Sequence, residues 1–181
     1  MKVLIACEFS GIVRDAFVTR GHDAWSCDLL DSERKGQHIK GDVLNILYDG
    51  WDMMIAHPPC RYLAVSGARW FKYRQKEQKE ALEFVKTLLT SDIPKIAVEN
   101  PISVISTQIR KPDQIIQPWM FGHGETKATC LWLKNLPKLS STNIVDSRDN
   151  RIYHEPPGKN RWKNRSRTYS GIAKAMADQW G

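Results

Sequence analysis

The sequence predicts an α/β fold built on a mostly parallel sheet, and three observations carry the prediction. Short apolar runs rich in branched residues alternate with helix-like segments, the pattern of buried strands covered on both faces. The runs stop at polar or reactive groups: Phe9-Ser10-Gly11, Asp28, Asp42, Cys60 and Glu99-Asn100. Open α/β sheets bind ligands at the carboxyl ends of their strands, so these stops mark one candidate site. Finally, 181 residues, 41% of them hydrophobic and 26% charged, are one domain's worth of chain with enough apolar surface for a core, which excludes wholesale disorder.

Lys2 to Ala6 is a continuous apolar run ended by Phe9-Ser10-Gly11 and reads as the first buried strand. Ile12 to Arg20 then forms a helix that stops at Gly21. Ala24 to Cys27 is a second strand closing on Asp28, and His38 to Lys40 before Gly41-Asp42 a third. Asp52 to Ala56 is the fourth, ended by His57-Pro58-Pro59-Cys60. Gln75 to Leu89 carries Ala81, Leu82, Val85, Leu88 and Leu89 at helical spacing, the best amphipathic helix in the chain. Lys95 to Val98 is a fifth strand. Gln114 to Gln117 and Ala128 to Leu133 pair as a C-terminal antiparallel hairpin. Ser140 to Asn164 reads as an exposed loop, and Thr168 to Trp180 as a closing helix with Ile172, Ala175, Met176 and Trp180 on one face.

The formal net charge of +7 is unevenly placed. Between Arg151 and Arg167 six basic residues (Arg151, Lys159, Arg161, Lys163, Arg165 and Arg167) face only Glu155, so this stretch supplies +5 and points to a polyanionic partner. Tyr153 and Trp162 interleave with these cations, which suits phosphate contact plus base stacking, although a charge run is often only a solvated face. Cys7, Cys27, Cys60 and Cys130 are too far apart in sequence for a metal knuckle or redox motif, so neither a metal site nor a disulfide framework is expected. The run from Val3 to Cys7 is too short for a signal peptide or a membrane span, and a cytoplasmic protein is expected.

Pro58-Pro59-Cys60 places a thiol on a rigid turn at the mouth of the sheet, because two prolines fix φ and offer no backbone donors. A cysteine alone is more often a small buried hydrophobe, but Glu99-Asn100 ends the neighbouring strand and can face the same pocket. A carboxyl held there is expected to have a raised pKa and to donate a proton.

On these residues the chain resembles the cytosine-5 DNA methyltransferases. Phe9-Ser10-Gly11 matches the family's Phe-x-Gly loop, Pro59-Cys60 its nucleophile turn and Glu99-Asn100 its Glu-Asn-Val strand end, in the family's order. The resemblance covers residues 1 to 135 and the closing helix, and it implies a Rossmann-like S-adenosylmethionine-dependent methyltransferase fold. Several positions depart from it. Val13-Arg14 stand in place of a glycine pair, Pro101 in place of Val, Glu125, Lys127 and Thr129 in place of Gln-x-Arg-x-Arg, and Ser166-Arg167-Thr168 near the last motif. Only about 35 residues separate Leu133 from Thr168, so a basic loop over 140–167 replaces the family's large target-recognition domain within a single domain of 1–181.

The resemblance implies Cys60 as nucleophile toward carbon 6 of cytosine, Glu99 as proton donor to ring nitrogen 3, Asn100 holding the loop and Lys127 near the carbonyl oxygen. It implies S-adenosylmethionine held by Phe9, Ser10, Gly11, Asp28, Asp42 and Pro58. Aspartates at strand ends are also frequent turn and helix caps, a reading their places on successive strands disfavour. Arg61 and Arg69, with Lys72 and Arg74, form a second positive edge beside the pocket, around Trp70-Phe71. The implied partner is DNA, a duplex with a flipped cytosine. The rivals are a methyltransferase for RNA or a free nucleotide, and a non-catalytic DNA-binding relative. A small stand-alone methylase suits a bacterial or phage setting, and host cytoplasm in the latter.

Overall fold

The structure, a computed structural model, describes residues 1–181. Its strands are β1 (Lys2–Ala6), β2 (Asp23–Asp28), β3 (His38–Lys40), β4 (Met53–Ala56), β5 (Lys95–Pro101), β6 (Gln114–Ile116) and β7 (Thr129–Lys134). They form one sheet in the order β3-β2-β1-β4-β5-β7-β6. The first five are parallel, and β7 runs antiparallel between β5 and β6. The helices are α1 (Ile12–Thr19), α2 (Gln75–Thr90), the single turn α3 (Ile105–Gln108), the short α4 (Arg161–Ser166) and α5 (Ser170–Trp180).

Side chains alternate across a strand, and here both alternating sets are apolar, as a sheet covered on both faces requires. Val3 and Ile5 of β1 pack with Phe17 of α1 and Ile172, Met176 and Trp180 of α5. Leu4 and Ala6 face the other way, into a core with Val85 and Leu88 of α2, Ile96, Val98 and Trp132. Each large side chain so buried contributes about 1.5–3 kcal/mol. No helix is long and apolar enough to cross a membrane.

The strand order reverses at β1, which lies between β2 and β4, and this switch point opens the crevice where doubly wound sheets bind ligands. The predicted α/β class, the parallel sheet and the C-terminal antiparallel hairpin are all present. Two differences from expectation bear on the site. β5 continues past Val98 to Pro101, because Glu99, Asn100 and Pro101 pair with Leu131, Cys130 and Thr129 of β7. Glu99 and Asn100 therefore sit on sheet backbone and not on a loop. The expected loop over Ser140–Asn164 is tied down at Asn143 and Asp149, which bridge to Phe121 and Glu125. It also contains a 3-10 turn, Arg151–Tyr153, and the start of α4.

Candidate active site

The loop leaving β1 is shaped by an acid that the sequence reading did not single out. Glu8 is buried, and its carboxylate accepts hydrogen bonds from Val13 N (2.8 Å), Arg14 N (3.2 Å) and Ser10 Oγ (2.9 Å). An internal carboxylate thus meets the orphan amides at the start of α1. Ser10 Oγ also accepts from Ile12 N at 3.3 Å, so this hydroxyl is committed within the loop. Gly11 has φ +69, and a Cβ there would stand 2.6 Å from Arg14 Nη2. The space a glycine pair would leave open is filled by the wholly buried Arg14 side chain. Its guanidinium donates to Lys35 O at 3.0 Å and to Ser26 Oγ and Ser32 Oγ at 3.2 Å, and pairs with Asp15 at 2.8 Å.

Asp28 ends β2 and Asp42 follows β3, and each makes one short-range bond. Asp28 Oδ1 accepts from Leu30 N at 2.9 Å, and Asp42 Oδ1 from Leu44 N at 3.0 Å at the start of a 3-10 turn. Both are therefore caps, and each keeps a second carboxylate oxygen outside that bond. Burial raises the Asp28 pKa against the opposing pull of the Leu30 and Leu29 amides and His38. Cys7, in a left-handed conformation at φ 58, lies close enough that burial and then the charge of Asp28 raise its pKa. The Phe9 ring is buried beneath Trp162 of α4, with ring centroids 5.6 Å apart.

On the other side of the switch point, β4 and β5 are adjacent and in register, with Ala56 opposite Val98. The residues that follow, His57 to Cys60 and Glu99-Asn100, are thereby brought together. His57 Nδ1 lies 2.9 Å from Glu99 Oε2, with only 9% and 13% of the two side chains exposed. His57 Nε2 is buried without a partner. Asn100 Nδ2 donates to Pro58 O at 2.9 Å and pins the proline turn to β5. Cys60 is exposed, and its carbonyl accepts from Leu63 N and Ala64 N, which makes the turn rigid.

The electrostatics correct one expectation. Burial pulls the Glu99 carboxyl upward, but the His57 hydrogen bond and charge, together with Lys127, outweigh it, and the pKa is lowered. Glu99 is an ionised carboxylate and not the resting proton donor that the sequence reading expects. Surrounding protein and then the Glu99 charge raise the Cys60 pKa, opposed by Lys127, the residue's own amide and Arg165. Cys60, Glu99 and Lys127 therefore feel one another, and the resting pair is thiol plus carboxylate. Of the three residues aligned with Gln-x-Arg-x-Arg, only Lys127 acts on this site. Glu125 is buried against Arg151 and the Tyr169 hydroxyl, and Thr129 donates to Lys127 O at 3.1 Å.

The basic residues divide. Arg151 is paired with Glu125, and Arg167 grips Glu33 through two bonds of 2.7 and 2.9 Å, so two of the six tail cations tie the chain together. Arg161 donates to Tyr153 O at 3.4 Å. Lys163 stands 5.5 Å from the Phe9 ring, Arg165 adds positive potential at Cys60, and Lys159 is exposed. Arg61 and Arg69 are exposed beside Tyr62 and Trp70, at 5.4 and 5.2 Å. His57, like Glu8, was missed as a site residue. The signal available for it was its place directly before Pro-Pro-Cys.

Fold and strand-end geometry together define a Rossmann-like α/β protein with one polar site at the switch point of its sheet. No protein-family model matches the sequence, and no curated protein does. A solved structure resembles it: a prophage-encoded E. coli protein assigned by name as a DNA modification methyltransferase, with a TM-score of 0.51 at 10% identity. The likeness covers 86% of this chain and 55% of that one, so this chain spans about half the length of its structural neighbour.

Proposed function

We propose that the chain is an S-adenosylmethionine-dependent methyltransferase acting on carbon 5 of cytosine in DNA. The observation that carries this reading is the convergence of a thiol, a carboxylate and a cation, Cys60, Glu99 and Lys127, at adjacent strand ends of a methyltransferase-like sheet. The name of the structural neighbour supports DNA as the substrate. The donor set at the switch point fits the cofactor's nucleoside. Asp28 and Asp42 offer free carboxylate oxygens to ribose hydroxyls and an amino group, and Phe9 supplies an apolar wall that Trp162 covers and would have to uncover for a base to reach. Gly11 holds the loop, whereas Ser10 and Pro58 act by shaping backbone. When bound, the cofactor supplies the electrophilic methyl group that carbon 5 accepts.

Carbon 5 is a poor nucleophile until a thiolate has added to carbon 6. The resting thiol and carboxylate hold one proton between them. Moving it from Cys60 to Glu99 gives a thiolate and a carboxylic acid with no net uptake. The thiolate then forms the sulfur–carbon 6 bond while the carbon 5–carbon 6 electron pair is delocalised and ring nitrogen 3 takes the proton from Glu99. Lys127 stabilises negative charge developing on the ring. Loss of the carbon 5 proton to solvent afterwards restores the double bond and breaks the bond to Cys60, and the proton on ring nitrogen 3 returns through Glu99 to the departing thiolate, which restores the resting pair.

The test is covalent trapping on DNA carrying 5-fluorocytosine, where fluorine blocks the final elimination. An adduct is expected that Cys60→Ser abolishes and that Cys7→Ser, Cys27→Ser and Cys130→Ser retain. An adduct surviving Cys60→Ser would sink the mechanism. Tritiated cofactor offered with DNA, RNA and a deoxycytidine nucleotide decides among the substrate classes, and label on RNA or nucleotide alone would replace DNA as the substrate.

A further inference from the structure

We propose that the segment from Arg61 to Arg74 is a stacking platform for single-stranded DNA, which delivers an unpaired cytosine to Cys60. The proposal rests on the DNA reading above and replaces the expected duplex with a single strand. From Met53 to Lys76 the chain contains no acidic residue but five cations, Arg61, Arg69, Lys72, Arg74 and Lys76. Four aromatic side chains lie among them. Trp70 is 46% and Tyr73 68% exposed, with Tyr62 and Phe71 half-buried. Arg69 lies 5.2 Å from the Trp70 ring, Lys72 4.7 Å from Tyr73, and Arg74 5.8 Å from both Tyr62 and Trp70.

An exposed aromatic ring flanked by cations offers two things at once: a face for a base and a charge for the adjoining phosphate. Bases inside a duplex are already stacked and present only their edges, so rings of this kind have no partner on an intact double helix. The platform is held in place relative to the thiol. Leu63 is wholly buried, Leu63 N and Ala64 N both bond Cys60 O, Val65 N donates to Ile102 O at 3.1 Å, and Gln78 Nε2 donates to Tyr62 O at 3.0 Å. The segment that carries these rings therefore leaves directly from the anchored Cys60 turn and runs into α2. Single-stranded substrate also removes the cost of unpairing the target base.

Fluorescence anisotropy with a labelled 12-nucleotide cytosine-containing strand, its duplex and the same strand as RNA tests the proposal without requiring turnover. At about 0.15 M salt the single DNA strand should bind more tightly than the duplex. Trp70→Ala and Tyr73→Ala, both at exposed positions, should each weaken single-strand binding roughly fivefold or more, the loss of one base stack, while duplex binding changes little. Arg69→Lys, which keeps the charge and removes the guanidinium plane, should fall between wild type and Trp70→Ala. Duplex binding as tight as single-strand binding, unchanged affinity in both aromatic variants, or tighter binding of RNA would each overturn the platform. Calorimetry with S-adenosylmethionine on the same preparation separates the two readings. Cofactor binding without a single-strand preference overturns the platform alone. A single-strand preference without cofactor binding keeps the platform and removes the methyltransferase.

Discussion

At Glu99 the pair with His57 decides which protonation state the site starts from. If the proton passes from Cys60 to Glu99, thiol plus carboxylate and thiolate plus acid carry the same number of protons. The rate of adduct formation is then independent of pH between the two pKa values. Below the lowered Glu99 pKa an added proton gives thiol plus acid, and no nucleophile. Above the raised Cys60 pKa a lost proton gives thiolate plus carboxylate, and no acid. With ordinary values near 4.3 and 8.5 as inner limits, the trapping rate should be flat from about pH 5 to 8. A rate climbing tenfold per pH unit between 6 and 8 would mean that thiolate attack proceeds without the hand-off. His57→Ala removes the bond that holds Glu99 down and leaves burial to pull its pKa up, so the acid limb should move to higher pH. An unmoved limb would reduce His57 to packing. The sequence placed Glu99 at the site but not its charge, because that charge is set by a histidine 42 residues away that touches it only once β4 and β5 pair.

At the scale of elements, α1 and the loop after β2 are joined through one side chain. Arg14 looks like a defect when set against a glycine-rich cofactor loop, and no local pattern marks an arginine as core. The fold explains the exchange, since its guanidinium fills the hollow against Gly11 and Gly36 and bonds backbone oxygens of Arg34 and Lys35. Arg14→Met should therefore cost at least about 1.5–3 kcal/mol, the value of a hydrogen bond to a charged group, read as a lower urea midpoint. It should also expose Ser32–Gln37 to protease. A variant of wild-type stability with an intact loop would show that the network is dispensable. The strands were legible for the opposite reason. Apolar runs bounded by turn residues are local signals that place each strand to within a residue, except at the end of β5, whose last three residues are strand by virtue of pairing with β7.

For the whole molecule, the +7 charge says that a polyanion is attracted but not which groups touch it. From sequence the six tail cations looked equivalent. Their partners, Glu125 for Arg151 and Glu33 for Arg167, lie 26 and 134 residues away, beyond any local reading. Pairing sorts the charges into a structural set and a free set, and salt dependence should resolve the two. Each phosphate neutralised on a single strand contributes a slope of about 0.7 in log K against log salt. Replacing Lys159, Arg161 and Lys163 with alanine should flatten the slope for single-stranded DNA by up to about 2 units. Arg151→Ala and Arg167→Ala should leave the slope nearly unchanged and instead lower the melting temperature, because each removes a tie between the tail and the rest of the fold. If Arg151→Ala flattened the slope by a full phosphate's worth without loss of stability, its bond to Glu125 would be one that DNA readily displaces. If the triple variant kept the wild-type slope, α4 and the turn before it would be a solvated face, leaving the cations between Arg61 and Lys76 to supply the electrostatic grip.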